Sequence, residues 1–260
     1  MLSQEQNKHF ETFGFLVLRK VFTPREAEIM KRESEDIYAE VWGGRPADAL
    51  GRMALQPFFE RRPFLAGLAA DDRIYEIGED LLGPDFVLDG TEGNFHVGDT
   101  KWHGGEGKPI TVRSVKIAFY LEPLTRDSGC LRFIPGSHLV EFGAKLKVNQ
   151  RQGDDPVEKN FALAANALPS VPIESNPGDI VLFMENTYHG AFGGQPGRQQ
   201  HAISFFENPR TAAQVEWVKK MYRQTRFSFR PSESYINSDQ PRIRRMVSRL
   251  VDLGFDSLPF

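Results

Sequence analysis

The spacing of apolar and polar positions divides the chain into a helical opening, a long β-like middle and a helical end. Near the N-terminus, Ser3 followed three residues later by Gln6 forms a capping box that opens a short helix. GFLVLRKVF (14–22), dense in β-branched and aromatic residues, predicts a strand. Thr23-Pro24-Arg25-Glu26 then joins a threonine cap, a proline at the first helical position and a glutamate at the box position, predicting a helix to about Val41. From 84 to 206 the apolar runs shorten to FVLD, VRSVKIAFYLE, GCLRFIP, DIVLF and AISFF, cut by Gly, Pro, Asn and Asp, which is an all-β pattern. After Pro209, AAQVEWVKKMYR and PRIRRMVSRLVDLG return to helical spacing, and the basic run of the second reads as a solvated helix face. The expected architecture is mainly β, a single sandwich or barrel over residues 1–260, flanked by helices from both ends.

One strand says more. In VRSVKIAFYLE, Val115, Ile117, Phe119 and Leu121 fall on one face, and Ser114, Lys116, Ala118 and Tyr120 on the other. Small residues beside a single lysine point to a lumen, which makes Lys116 a candidate to bind an anionic cosubstrate; a solvent-facing lysine is the alternative.

Composition narrows the possibilities. With 40% hydrophobic and 26% charged residues the chain has ordinary globular content, and a net charge of −3 lacks the basic surplus that binding to a nucleic-acid polymer requires. The single cysteine, Cys130, cannot form an internal disulfide, and MLSQEQNKHF carries no basic-then-apolar leader, so a cytoplasmic location is expected. No apolar run is long enough to span a bilayer.

Six histidines remain as candidate chemistry: His9, His96, His103, His138, His189 and His201. In NPGDIVLFMENTYHGAFGGQPGRQQHAISFFE, a Pro-Gly turn and an apolar strand precede His189, and a Gly-rich bend brings in Arg198 and a second strand. A histidine followed by an arginine on a neighbouring strand suits an iron that takes imidazole and an organic acid that takes a guanidinium fork.

GFLVLRKVFTPREAEIM, TKWH, SGCLRFIPGSH and NPGDIVLFMENTYHGAF together resemble the phytanoyl-CoA dioxygenase family of iron(II)/2-oxoglutarate oxygenases over roughly residues 10 to 206. The resemblance implies a double-stranded β-helix (jelly roll, cupin-like) that holds Fe(II) through two histidines and a carboxylate. The H-x-D pair of that pattern falls on His103 and Gly105, and the distal histidine on His189. Glycine offers no side-chain ligand, and a Gly or Ala in place of the acid is the mark of the iron/2-oxoglutarate halogenases, in which chloride takes the open position. The implied reaction consumes 2-oxoglutarate and O2, releases succinate and CO2, and chlorinates an unactivated aliphatic carbon. The alternatives are an acid supplied from elsewhere, by Glu106, Glu92 or Asp99, giving a hydroxylase, and a non-catalytic relative.

Within the same resemblance Arg198 is the partner of the distal carboxylate of 2-oxoglutarate, with Gln200 two residues on as the other candidate position. Asn94, Phe95 and Trp102 flank the first ligand and are expected to position cosubstrate or substrate; His138, His96 and His201 are expected to be structural. The whole chain, with GNFHVGDTKWHGG, resembles the nucleotide halogenases of purine nucleoside antibiotic pathways, implying the 2′ carbon of a deoxyadenosine monophosphate as target. Lys101, Lys108, Arg113, Arg223 and Arg226 could then meet phosphate, and Phe95, Phe192 and Trp102 adenine. A free amino acid is the alternative substrate.

Overall fold

The computed structural model describes residues 1–43, 53–96, 98–104, 110–146, 162–225 and 229–260. Both N-terminal capping boxes form: Ser3 caps α1 (Gln4–Phe13) and Thr23 caps α2 (Pro24–Trp42), each reciprocated by the side chain at the third helical position. The strand between them, β1 (Phe15–Leu18), is shorter than the apolar run that predicted it. Lys20 turns into a left-handed conformation (φ 55°), and Asp179 holds this corner by accepting the Lys20 N–H at 2.9 Å and Arg19 Nη1 at 2.8 Å.

Strands β2 (Met53–Leu55) and β3 (Val87–His96) are separated by the short helix α3 (Pro63–Leu68) and by α4 (Asp72–Leu82). The remaining strands are β4 (Thr100–His103), β5 (Ser114–Tyr120), β6 (Leu131–Phe133), β7 (Val171–Ile173), β8 (Ile180–Met184), β9 (His189–Ala191) and β10 (Arg198–Phe206), interrupted by α5 (Val140–Leu146), a helix the β pattern did not predict. They make a six-stranded sheet, β1-β8-β5-β10-β3-β2, and a four-stranded sheet, β4-β9-β6-β7, and every named strand pair is antiparallel. The chain ends in α6 (Ala212–Gln224), α7 (Glu233–Ile236) and α8 (Pro241–Asp252).

The alternation in β5 sets the two sides of the large sheet. Val115, Ile117, Phe119 and Leu121 join one core cluster with Met30 and Ile37 of α2, Ile74 and Ile77 of α4, and Ile243 and Met246 of α8. Helices therefore cover the outer face, each buried aliphatic or aromatic side chain contributing about 1.5–3 kcal/mol. Ala118 and Tyr120 face the other way, into a cluster with Leu131, Phe133 and Ile173 of the small sheet and Val181, Phe183 and Ala202 of the large one. The lumen between the sheets lies next to this cluster. The basic run in α8 is not simply a solvated face: Arg245 reaches inward to the Tyr75 hydroxyl at 2.7 Å and the Phe86 carbonyl at 2.5 Å.

Candidate active site

His103 ends β4 and His189 begins β9, and the two are direct partners in the antiparallel ladder. Strand pairing thus brings residues 86 positions apart in sequence to ring centroids 4.0 Å apart. His189 Nδ1 donates to the Thr187 carbonyl at 2.7 Å and His103 Nδ1 to the Lys101 carbonyl at 2.8 Å. A carbonyl only accepts, so each Nδ1 carries a proton, and in a neutral ring that tautomer leaves the lone pair on Nε2, the atom through which such a histidine ligates a metal. Burial, with His103 adjacent, pushes the His189 pKa well below its usual value, which keeps the ring neutral and able to ligate.

The residues around the β8–β9 turn fix this geometry. Ser137 accepts the Tyr188 N–H at 2.7 Å, and Thr187 donates to the Gly14 carbonyl at 2.9 Å. His138, as expected, is structural: its Nε2 donates to the Glu11 carbonyl at 3.0 Å. Gly104 has φ 95°, and a Cβ there would lie 2.5 Å from the Thr187 carbonyl oxygen, so only glycine lets the chain after His103 press against the turn before His189. Gly105, the position of the missing acid, lies outside the described residues, as do Glu106, Lys108 and Arg226.

A pocket lies beside the histidines, lined also by Glu92, Thr100, Lys116, Tyr120, Leu131, Phe183, Ala191, Arg198 and Gln200. Arg198 is 4% exposed and donates through Nη1 to the Gly129 carbonyl, while its buried Nε has no hydrogen-bond partner. Glycine makes room for the guanidinium, because a Cβ on Gly129 would lie 2.6 Å from Nη1. A buried guanidinium with an unsatisfied donor has the chemistry to accept a carboxylate partner. Lys116 differs. Its Nζ lies 2.5 Å from Glu92 and 3.6 Å from Glu185. Burial pulls its pKa down, but the two carboxylates more than offset this, and the ammonium stays charged.

The other expected site residues divide. Asn94 is fully buried, lies opposite Gln200 in the ladder and shares the strand face of Glu92. Trp102 faces away from the pocket: it stacks on Tyr188 at 5.7 Å, and its indole N–H donates to the Ala165 carbonyl at 2.7 Å. Phe192 packs on Trp102, and Phe95 on Tyr38 and Trp42, so none of the three aromatics assigned to adenine lines the pocket. Arg223 is exposed beside Glu216. His201 is buried among Tyr38, Phe58 and Phe119, with its pKa lowered to about 3 by burial, a packing histidine as expected. Of His96 only the backbone, at the end of β3, is described. Asp99 accepts the Gly193 N–H at 2.7 Å. Among the described residues no group of three His, Cys, Asp or Glu side chains is placed to hold a metal ion. The sequence reading missed Gln56 and Glu185, which reach the lumen charges from loops with no local signature.

An antiparallel two-sheet core carrying a two-histidine centre and a buried arginine is the frame of iron-dependent oxygenases that consume an organic acid. Residues 10–199 match the phytanoyl-CoA dioxygenase (PhyH) family, and the chain belongs to that family of Fe(II)/2-oxoglutarate-dependent oxygenases. It is 25% identical over 221 residues to an ectoine dioxygenase of Sphingopyxis alaskensis, covering 74% of this chain and 71% of the relative. HygX from Streptomyces hygroscopicus, solved with nickel and 2-oxoglutarate, superimposes with a TM-score of 0.66 at 22% identity, over 80% of this chain and 88% of that one. EctD from S. alaskensis, solved with bound Fe, gives 0.59 at 23% identity, over 79% and 76%. Among the described residues no helix is long and apolar enough to cross a membrane.

Proposed function

We propose that this chain is an iron(II)/2-oxoglutarate-dependent halogenase with a double-stranded β-helix core, in which His103 and His189 are the protein ligands and chloride takes the position a carboxylate fills in hydroxylases. The observation that carries the reading is Gly105, two residues after His103, where the resemblance puts the acid. The chain's own groups fit the cofactors. His103, His189 and Arg198 line one pocket, and a guanidinium fork suits the distal carboxylate of 2-oxoglutarate. Of the other acids considered, Glu92 is bonded to Lys116 and Gln56, and Asp99 accepts the Gly193 N–H.

Bound iron, 2-oxoglutarate and O2 supply oxidative decarboxylation and hydrogen abstraction from an aliphatic carbon. The protein's part is placement: the imidazoles are held by backbone carbonyls, and Phe183 and Leu131 keep part of the wall apolar. A purine deoxynucleotide is the first substrate to try and a free amino acid the next. Tyr120 and Phe183 are the flat faces that line the pocket.

A second reading, hydroxylation, is favoured by the dioxygenase relatives. Turnover with and without chloride, with products weighed by mass spectrometry, separates the two. The wild type is expected to give a chlorinated product only when chloride is present. Gly105→Asp is expected to retain iron and lose chlorination. Oxygenated product from the wild type regardless of chloride, or undiminished chlorination by the variant, overturns the halogenase reading.

A further inference from the structure

Glu92 is the sole acidic side chain among the described residues that line the histidine pocket. A carboxylate near two imidazoles is the natural third ligand of an iron(II) site. Here both of its oxygens are turned to other donors: Oε1 accepts from Lys116 Nζ at 2.5 Å and Oε2 from Gln56 Nε2 at 3.1 Å. The lysine is itself tethered, lying 3.6 Å from Glu185, which accepts the Ser204 hydroxyl at 3.1 Å. Three elements of the large sheet therefore contribute to one chain of contacts, with β10 and β5 restraining the lysine that restrains a carboxylate on β3.

Resting on the two-histidine reading, we infer that Lys116 and Gln56 are positioning residues that hold Glu92 off the metal and so keep a coordination position open to an exogenous anion. The charge-assisted bond from Lys116 is the stronger restraint and the amide of Gln56 the weaker. Without the ammonium, a carboxylate 7% exposed would lose its charge-assisted bond to Lys116, and a buried carboxylate that loses a counter-ion is drawn toward another cation. A metal on His103 and His189 is that cation.

The test is an anaerobic titration of the apoprotein with Co(II), without halide or 2-oxoglutarate, following affinity and ligand-field absorption. Lys116→Met is expected to bind Co(II) on the order of tenfold tighter, with an altered ligand-field spectrum, the scale on which surrounding groups tune metal affinity. Glu92→Gln, and Glu92→Gln combined with Lys116→Met, are expected to match the wild type, because neither has a carboxylate to release. Gln56→Leu, the milder change, is expected to move the same way by less and serves if Lys116→Met does not fold. Wild-type affinity and spectrum in folded Lys116→Met or Gln56→Leu would overturn the inference, as would a spectral change in Glu92→Gln alone, which would mean that Glu92 already ligates. Failure of the wild type to bind Co(II) overturns the two-histidine site and the inference together. Because chloride is absent, failure of the halogenase reading in the turnover experiment leaves this result readable.

Discussion

Two cations, Arg198 buried and Lys116 half-buried, line the same pocket, and they are not equivalent. Arg198 opens β10, whereas Lys116 lies opposite Ser204, six residues further along that strand, or about 20 Å. At the lysine end the charge is matched inside the protein by Glu92 and Glu185. At the arginine end the guanidinium has a backbone carbonyl and an unpaired Nε. Burial and positive charge therefore do not by themselves mark an anion site. What marks it is a donor left without a partner, because a ligand there gains a hydrogen bond without breaking one.

The comparison breaks most visibly in cosubstrate binding. Arg198→Met is expected to weaken 2-oxoglutarate by about 2–5 kcal/mol, roughly 30-fold or more, at unchanged iron content. Lys116→Met should leave that affinity near the wild-type value. Equal losses in calorimetric titrations of the iron-loaded variants would abolish the distinction drawn between the two ends.

Stability should sort the same two substitutions in the opposite order. Metal-free Lys116→Met removes the cation bonded to Glu92 and is expected to cost about 3–5 kcal/mol in urea unfolding at neutral pH. Arg198→Met removes a bond to one carbonyl and should cost about 1–3 kcal/mol. A larger loss for Arg198→Met would show that the lysine end is not internally matched.

A pH-dependent effect lies behind the lysine end, where Glu60 and Asp89 line a second pocket. Burial pushes Glu60 up to about 7, against the lowering effect of the Thr91 hydroxyl, and burial together with Glu185 raises Asp89 as well. The folded state thus keeps a proton on Glu60 that the unfolded chain releases near 4.5. Its contribution is fully present below pH 4.5 and is lost as pH rises to about 7. Relative to Glu60→Gln, the wild type should lose up to about 3 kcal/mol across that window, measured by urea unfolding at a series of pH values. A flat difference would place the Glu60 carboxyl in contact with water.

Much of the fold was legible locally. The capping boxes at Ser3 and Thr23 are short-range hydrogen bonds whose partners lie three residues away, and β5 announced its two faces by alternation. The strand ending at Leu18 was overestimated because its stop is tertiary: Asp179, distant in sequence, holds Lys20 in its turn. The site divided along the same line. His103, His189 and Arg198, singled out by their place in the family pattern, line one pocket, whereas Trp102, although adjacent to His103, points to the other side of its strand. The apolar partners of Phe95 and Phe192 likewise come from distant segments, so no local pattern could have excluded them from the pocket.

The sequence by itself determined the two capped N-terminal helices, the two faces of β5 and the glycine two residues after His103, because each depends on side-chain chemistry and on periods of a few residues. Only the tertiary structure decided which lumen charges are matched. Glu92 meets Lys116 across 24 positions and Gln56 across 36, and Arg198 meets Gly129 across 69. Electrostatic pairing acts through space at a few ångströms, and it is the packing of the sheets that turns those separations along the chain into contacts.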